Sequence, residues 1–592
     1  MQFIHRLLNK IENAHSIYLI TILIVVPLII YFPSLFNSFV WDDEEQVVNN
    51  VFIQNLSNIP YLFTSSTFNT GGAGLSGFYY KPLMPLAFTF NFFIWKTNPF
   101  GFHFFDLIFH IINGILVFIL FKKLFNPPAH SGLSPSGSKT GGQKFKYYKT
   151  FSFILSFLFV IHPANTESVA YISSTQELLY TFFLVLSLIF TINFLNKKRV
   201  SLKSLFFINL FILFSLLSKE SGLVTIPLVI AFAFLFYRSK TAVIGISSFI
   251  TFIFYLILRF AIAKTPVFQH SSIIPIANAN FLDRVKTIPF ELFSYIRLMF
   301  FPKDLFVAQH QVINNIYDSR FYISFVVALV FLFFLTFVFL KSRSKLYLFF
   351  LLWIIFSFSI LLNIYALDMT VAERWLYGPM IGMLGLFGFF ILDIIKKNEK
   401  MKNYILIFFL IIIPVLTIKT FIRTMDWKNN LTLFSHDERY VNDSFDLQNN
   451  LGVALFRNND MKNAKKHFEK SVSLSPKWWT SYNNLGVIYQ REGNINMAKK
   501  LYEVSIKNGD YYLAYENLAE IKYKTEKPKD VLPFIESSLS RLPYNEVLNK
   551  IAAITYYQTG ATESAKLYAQ RTYLINKSQE NYLLLQTVMN GK

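Results

Sequence analysis

Residues 403–422, NYILIFFLIIIPVLTIKTFI, are followed shortly by the tetrapeptide Asn449-Asn450-Leu451-Gly452. The apolar run is about as long as the roughly 20 residues that a helix needs to cross a membrane. The tetrapeptide begins a repeat, because it recurs as Asn483-Asn484-Leu485-Gly486 at an offset of 34 residues. Membrane-type sequence therefore ends, and soluble repeat sequence begins, between these two stretches.

Charge divides the chain at the same place. Residues 426–592 contain 22 Lys/Arg and 18 Asp/Glu, whereas the much longer stretch 1–425 contains 34 and 17. Charged residues make up 15% of the chain, against about 25% in an average soluble protein. We therefore predict an all-α protein with a polytopic membrane domain at 1–425 and a soluble domain at 426–592. The absence of cysteine excludes disulfides, thiol nucleophiles and Cys-based metal sites.

Apolar runs predict about eleven membrane-spanning helices. They lie at 17–36, 104–121, 150–161, 178–195, 204–217, 221–237, 242–262, 321–340, 346–362, 376–395 and 403–422. Lys286, Glu291 and Arg297 interrupt a further segment, 286–301, which we interpret as interfacial or re-entrant. If that segment spans, the soluble domain changes sides.

Basic residues cluster in alternate connections. With a cytoplasmic N-terminus, 21 of them fall in short cytoplasmic loops and about 10 in the longer opposite loops, as the positive-inside rule requires. The net charge of +21 is therefore interpreted as topology and not as a nucleic-acid site. Residues 126–149 are predicted to be a flexible cytoplasmic linker and residues 37–103 to be the first outer loop.

This topology predicts a multi-pass integral membrane protein with an extracytoplasmic C-terminal domain. Its membrane would be the plasma or inner membrane in a bacterium and the endoplasmic reticulum in a eukaryote. The 34-residue period is typical of tetratricopeptide repeats, and Ala464 and Phe468 recur as Ala498 and Tyr502 at the same offset. Such repeats stack into an α-solenoid that binds peptides or proteins, so a polypeptide partner is expected there. The alternative is a generic helical hairpin bundle.

Ionisable residues cluster at the predicted outer ends of the spans, where they are costly unless they have a role. Trp41-Asp42-Asp43-Glu44-Glu45 follows the first span, and one of its carboxylates can act as a general base. The alternative is a solvated acidic loop. The other candidates, which could instead form ion pairs that stabilise helix ends, are Lys81, His103, Asp106, His110, His162, Glu167, Lys219, Glu220, Glu373 and Arg374.

Acids beside Lys219 and Arg374 are the groups expected where a phosphate is held as it leaves. The order of short motifs along the chain, followed by the repeats, resembles that of one family. The motifs are Trp41-Asp42-Asp43, Tyr80-Lys81-Pro82-Leu83, His103 with His110, His162-Pro163 with Thr166-Glu167, Ser218-Lys219-Glu220 and Ala372-Glu373-Arg374 with Leu376-Tyr377. The family is that of the transmembrane and tetratricopeptide repeat-containing proteins, which belong with the GT-C glycosyltransferases and the protein O-mannosyltransferases.

The resemblance implies a GT-C-like enzyme that transfers a mannose-like sugar, with inversion, from a polyprenyl-phosphate donor to a hydroxyl group. The acceptor would be a protein Ser/Thr on the outer face. An acid of the first outer loop acts as base in such enzymes, which maps onto Asp42 or Asp43, with Asp42 favoured. Lys219 and Arg374 would hold the phosphate, and Lys81 would line the site. Where relatives often carry a basic residue after the His-Pro motif, this chain has Ser173-Ser174-Thr175-Gln176.

No cofactor beyond the lipid-linked donor is implied with certainty. A divalent cation held by Asp42, Asp43 and Glu167 is an alternative, since some GT-C enzymes use one. Two other functions compete with the enzyme: a membrane-anchored repeat scaffold for envelope assembly and, less favoured, a transporter. The glycine-rich stretch Gly71–Gly77 is interpreted as a mobile loop or gate, because it lacks the Gly-Lys-Ser/Thr ending of a P-loop.

Overall fold

The computed structural model describes residues 2–67, 79–126, 145–197, 199–265, 273–307, 309–509 and 511–590, with the side chains described from Arg6 onward. Within these ranges there is no β-strand, only an isolated bridge between Gln309 and Val371. The predicted all-α class is therefore confirmed. The described residues form two compact units that divide between Val441 and Asn442.

The first unit contains eighteen α-helices among its described residues. They are α1 (Gln2–Asn13), α2 (Ser16–Ile30), α3 (Ile59–Thr64), α4 (Leu83–Trp95), α5 (Pro99–Phe125), α6 (Tyr148–Ile161), α7 (Thr166–Ala170), α8 (Thr175–Leu195), α9 (Leu202–Ser218), α10 (Thr225–Phe236), α11 (Thr241–Leu256), α12 (Pro275–Asn278), α13 (Phe281–Phe300), α14 (Ser319–Ser342), α15 (Lys345–Leu361), α16 (Tyr377–Lys397), α17 (Met401–Asp426) and α18 (Asn430–Asp437).

All eleven apolar runs are helical, but they differ in length. Among the described helices, six are long and apolar enough to cross a membrane, those built on α5, α8, α11, α14, α16 and α17. The bent pairs α1 with α2 and α6 with α7 raise the number to eight. The helices α9 and α15 and the helical segment Glu220–Phe236 are apolar but shorter. A 17-residue helix rises about 26 Å, close to the lower limit for a crossing, so the count of eleven stays a prediction.

The long helices begin and end where the sequence supplies caps. The Asn98 side chain accepts the Phe100 N–H at the start of α5, and Pro99 occupies the first helical position, where no N–H is needed. Lys122 and Lys123 lie in the last turn of α5, where cations favour the helix dipole. Since α5 has 27 residues, it spans about 40 Å and separates two chemically different ends of the unit.

All three predicted loop segments lie partly or wholly outside the described residues. Residues 127–144 of the predicted linker lie outside the described residues, and its last two residues, Tyr148 and Lys149, already belong to α6. The Gly71–Gly77 stretch also lies outside them. The predicted first outer loop contains helices, since α3, the apolar α4 and the start of α5 fall within it.

Segment 286–301 forms most of α13, which is not among the helices apolar enough to span. Glu291 is fully buried on it and accepts a hydrogen bond from Asn363 Nδ2 at 2.8 Å. Burial raises the pKa of Glu291 to about 8, although this hydrogen bond opposes the shift.

The second unit is a series of antiparallel helices. They are α19 (Phe445–Arg457), α20 (Met461–Leu474), α21 (Trp479–Arg491), α22 (Ile495–Asn508), α23 (Tyr512–Thr525), α24 (Pro528–Arg541), α25 (Glu546–Gln558), α26 (Thr562–Ile575) and α27 (Gln579–Asn590). The repeated small residues allow close approach, as the sequence predicts. A Cβ on Gly452 would lie 2.6 Å from Phe468 Cε1, and one on Gly486 would lie 2.6 Å from Tyr502 Cε1. Each glycine is therefore required by the aromatic ring packed against it.

Candidate active site

The predicted polar segments meet at one end of the first unit. This end carries the turn after α2, which contains Asp42 and Asp43. It also carries the short 3-10 turns that join the longer helices: Pro163–Asn165, Ile172–Ser174, Glu220–Val224 and Glu373–Leu376. Hydrogen bonds and ion pairs link these turns to one another. We call this end of the unit the Asp42 end.

Asp43 is fully buried and its carboxylate is saturated with donors. Oδ1 accepts hydrogen bonds from the Ser173 N–H at 2.7 Å and from Ser173 Oγ at 2.6 Å, while Oδ2 accepts the Val40 N–H at 3.1 Å. Burial raises the pKa of Asp43 to about 7; the Ser173 and Val40 donors oppose this rise and Asp42 adds to it. Asp43 therefore ties the acidic turn to the Ile172–Ser174 turn.

Asp42 is only half-buried, in contrast to its neighbour. Its Oδ2 accepts a hydrogen bond from Tyr171 Oη at 2.8 Å. The Tyr171 ring stacks on Trp41, with 5.3 Å between ring centroids, and on Trp427 at 5.6 Å. Of the two aspartates, Asp42 is therefore the less buried, and the orientation of its carboxylate is set by an aromatic cluster.

Arg374 lies against the same aromatic cluster. Its guanidinium carbon is 5.5 Å from the Trp41 ring centroid and 5.8 Å from that of Tyr171, within the range of cation–π attraction. Its side chain is paired with Glu167 Oε1, and its backbone N–H donates to Glu167 Oε2 at 2.8 Å. Both residues are buried. The ion pair fixes the Glu373–Leu376 turn onto the start of α7.

Lys219 forms a second buried ion pair, with Glu177 at the start of α8. Its ammonium also lies 5.9 Å from the ring centroid of Trp375. The charges of Lys219, Arg374 and Lys81 all act on the Glu177 carboxylate. Lys219 and Arg374 both lie 5.9 Å from the ring centroid of Trp375, so one aromatic side chain contacts both cations.

Lys81 completes this group of cations. Its Nζ lies 3.6 Å from Glu220 Oε2, and Arg259 Nη1 lies 3.5 Å from Oε1 of the same carboxylate. Burial lowers the pKa of Lys81; Glu220 opposes this effect and the repulsion from Lys219 adds to it. Lys81 and Arg259 therefore share the Glu220 carboxylate. The ammonium groups of Lys81 and Lys219 repel each other, and a bound anion would reduce this repulsion.

The three candidate histidines, His103, His110 and His162, are all buried. His110 contacts Tyr377 Oη at 2.8 Å through Nδ1 and the Val160 carbonyl at 3.0 Å through Nε2. His162 Nε2 contacts the Met299 carbonyl at 3.0 Å. His103 is fully buried on α5, one turn before Asp106, whose Oδ1 accepts from Thr175 Oγ1 at 2.6 Å. His110 and His162 thus each contact a backbone carbonyl of another segment, which indicates a structural role for both.

Glu373 interacts with a cation other than Lys81, Lys219 and Arg374. It is fully buried, with an oxygen 4.0 Å from Arg423 Nη2 on α17. Arg423 Nη1 donates to Asp437 Oδ1 at 2.9 Å, and Asp437 Oδ2 accepts the Val307 N–H at 2.8 Å. Burial would raise the pKa of Asp437, but Arg423 holds it below its usual value. This network fixes α18 beside the turn that carries Arg374.

The chain that follows α17 also holds the acidic turn. Ser38 donates its N–H to the Lys428 carbonyl at 3.0 Å, and Trp41 donates its N–H to Asn430 Oδ1 at 2.8 Å. Trp41 has φ = 55°, a left-handed value that is uncommon outside glycine, so the Asn430 contact stabilises an unusual conformation. We call residues 424–437 the connector. Its contacts set the position of Asp42.

The donors that the sequence suggested for a divalent cation do not fit one. Among the described residues, no group of three His, Asp or Glu side chains is placed to bind a metal ion. Both oxygens of Glu167 bind Arg374, and those of Asp43 accept from Ser173 and Val40. Asp42, Asp43 and Glu167 therefore have structural partners in place of a metal.

Three residues of the site escaped the sequence analysis, Tyr171, Trp427 and Asn430, and Ser173 was noted there only as a departure from the family pattern. Aromatic residues are 18% of the chain, so Tyr171 and Trp427 carried no signal of their own. The signal available for the connector was Arg423, an ionisable residue directly after the predicted span 403–422. A further small cavity, lined by Tyr180, Ser221 and Trp375 among others, has a volume of about 10 Å³, enough for one water.

Fold and site together define a polytopic helical protein of membrane type that carries tetratricopeptide repeats. The tetratricopeptide repeat family model matches residues 445–477 and 480–508. Among solved structures, the TPR protein YrrB aligns with 15% identity and a TM-score of 0.23, over 27% of this chain and 82% of YrrB.

Curated relatives extend the similarity to the first unit. Protein O-mannosyl-transferase F38B6.6 of Caenorhabditis elegans is 26% identical over 482 residues, which cover 79% of this chain and 64% of that protein. Human protein O-mannosyl-transferase TMTC3 is 25% identical over 500 residues, or 77% and 51% of the two chains. The predicted resemblance is confirmed. The chain spans between half and two thirds of the length of these relatives.

Proposed function

We propose that this protein is a membrane glycosyltransferase that transfers a mannose-like sugar from a polyprenyl-phosphate donor to a protein Ser/Thr hydroxyl at the Asp42 end. The observation that carries the proposal is the partly exposed Asp42, whose partner Tyr171 lies 5.8 Å from the guanidinium carbon of Arg374. Arg374 in turn acts with Lys219 and Lys81 on the carboxylate of Glu177. The relatives are named protein O-mannosyl-transferases, which supports mannose as the sugar and protein as the acceptor.

Asp42 acts as the general base in this reaction. It removes the proton of the acceptor hydroxyl while that oxygen attacks the anomeric carbon. The bond between the anomeric carbon and the phosphate oxygen breaks, and its electron pair leaves with the polyprenyl phosphate. Attack opposite to the leaving group inverts the anomeric centre. The proton stays on Asp42 Oδ1 or Oδ2 until solvent removes it.

The cations stabilise the charge that develops on the leaving phosphate. Lys219 and Arg374 each have a carboxylate partner, whereas Lys81 and Arg259 share one, Glu220. In this proposal the phosphate lies within reach of Lys81 and Lys219, where it takes the place of their carboxylate partners and relieves the repulsion between the two ammonium groups. Arg374 then stabilises the transition state from the side of Asp42.

A transfer assay tests the proposal. The purified full chain in lipid nanodiscs receives labelled polyprenyl-phosphate mannose and Ser/Thr-rich peptides, and the peptides are analysed for sugar and anomeric configuration. We expect an inverted product, and Lys81→Gln to raise the KM for the donor more than that for the peptide. Peptides that never acquire sugar, while still binding the repeats, would favour the scaffold alternative.

A further inference from the structure

A cavity of about 390 Å³ opens at the end of the first unit opposite to Asp42. It lies among the last turn of α5, the first turn of α6 and the last turn of α8. The residues that line it are Ile119, Lys122, Lys123, Asn126, Tyr148, Ile192 and Asn196. Its volume is within the range of about 300–1,000 Å³ that is typical of ligand sites.

The lysines of this cavity have no acidic partner among the described residues. Lys122 Nζ donates to Ser16 Oγ at 3.0 Å, and Lys123 Nζ donates to Asn193 Oδ1 at 2.8 Å. Both acceptors are neutral, so neither positive charge is compensated. The ionised groups that act on Lys122 are Lys149 and Lys123, both of them cations. Lys149 and Lys123 therefore both repel the ammonium group of Lys122, which lines the cavity.

Asn126 gives the cavity a second polar feature. Its Oδ1 atom is buried and has no hydrogen-bond donor within the described residues. A buried acceptor without a donor costs free energy, which a ligand hydroxyl would recover. Ile119, Ile192 and the ring of Tyr148 supply apolar walls next to these polar groups. The cavity therefore offers cations, one acceptor and an apolar surface together.

We propose that this cavity binds an anionic phosphodiester that carries a hydroxyl group, of the kind found in the headgroup of phosphatidylglycerol. The phosphate accepts hydrogen bonds from Lys122 and Lys123, and the hydroxyl donates to Asn126 Oδ1. Basic cavities between helices at a membrane surface bind anionic lipid headgroups in this way. The site is separate from the Asp42 end, because α5, about 40 Å long, lies between them.

Binding measurements on the purified full chain test this site. Labelled phosphatidylglycerol and phosphatidylcholine are titrated into the protein in detergent, and soluble glycerophosphoglycerol is added as competitor. The double variant Lys122→Gln, Lys123→Gln removes the two charges. The matched control, Lys396→Gln with Lys397→Gln in the last turn of α16, removes the same charge outside the cavity. Helix content of each variant is checked by circular dichroism.

We expect the cavity variant to bind phosphatidylglycerol about tenfold more weakly or worse, and the control to bind as the parent does. Competition by glycerophosphoglycerol at the concentration of the lipid would identify a soluble phosphodiester as the ligand, and failure to compete would identify the lipid. Equal binding by cavity variant and control, or equal affinity for phosphatidylcholine, would overturn the proposal.

A second variant keeps the site testable if the double variant does not fold. Asn126→Ala leaves every charge in place and removes only the acceptor. We expect it to weaken the binding of phosphatidylglycerol and to leave unchanged the binding of phosphatidic acid, whose headgroup lacks the glycerol hydroxyls. Unchanged binding of phosphatidylglycerol by this variant would contradict the assigned contact.

Discussion

Tyr171 donates its phenolic hydrogen to Asp42, with 2.8 Å between Oη and Oδ2. The Tyr171 ring also stacks with Trp41 and Trp427, so aromatic packing holds the hydroxyl that orients the proposed base. A hydrogen bond to the charged form of a carboxylate stabilises that form and restricts its rotation. This contact links the aromatic packing of the Asp42 end to the chemistry proposed for it.

Tyr171→Phe removes the donor and keeps the ring. We expect the rate of sugar transfer to fall about tenfold, because the carboxylate loses its fixed orientation, while the protein stays folded. The measurement is kcat with saturating donor and peptide, compared with the melting temperature. The account of Asp42 would lose its positioning contact if kcat were unchanged.

Asn430→Ala tests whether the connector positions the acidic turn. The variant leaves the Trp41 N–H without its acceptor at a residue with φ = 55°. We expect kcat to fall several-fold with little change in peptide affinity. Asn429→Ala is the matched control, since Asn429 only caps α18 through Thr432. Equal kcat values for the two variants would show that the connector does not act on Asp42.

Glu167→Gln tests the buried ion pair with Arg374. Removing one partner of a buried pair leaves an uncompensated charge and costs about 3–5 kcal/mol. Glu399→Gln is the same substitution at an exposed acid that pairs with Lys146 and Lys402, where the loss is below about 1 kcal/mol. Thermal unfolding of the purified chain compares the two variants. Similar melting temperatures for both would contradict the buried pair.

The raised pKa of Asp43 predicts that the stability of the folded protein depends on pH. Its pKa is about 7 in the folded protein and 3.8 when exposed, so the folded state holds the proton more firmly. Its contribution to stability is therefore full below about pH 4 and is lost as pH rises to about 7. Asp43→Asn cannot titrate, so its melting temperature should rise relative to that of the parent between pH 4 and 7. Parallel profiles would contradict the buried, shifted carboxyl.

The sequence singled out Asp42, Lys219 and Arg374 because ionisable residues at span ends are costly unless they are paired or functional. The structure shows Lys219 and Arg374 in buried ion pairs, the alternative that the sequence left open, and their role in catalysis stays a prediction. Tyr171 and Trp427 did not stand out, because in a chain so rich in aromatics their partners decide their role. His110 shows the opposite case: a conspicuous residue whose contacts, Tyr377 and the Val160 carbonyl, lie within the packing of the helices.

The fold was predicted more completely than the number of crossings. Each of the eleven apolar runs found by hydropathy is helical in the structure, since the pattern of apolar residues along the chain is local. It did not predict that α6 and α7 form a bent pair, with 52° between them, or that α4 is an additional apolar helix. The 34-residue period gave the packing of Gly452 on Phe468 directly, because a repeat needs small residues where its helices touch.

The most direct test of the central claim is single-turnover sugar transfer by Asp42→Asn in the purified full chain. Glu45→Gln, an equally conservative change in the same acidic turn, is the control. Loss of a general base lowers the rate by about 10²–10⁴-fold, so we expect Asp42→Asn to fall by at least about 100-fold and the control to stay near the parent rate. Transfer by Asp42→Asn at the rate of the control would contradict the assignment of Asp42 as the base.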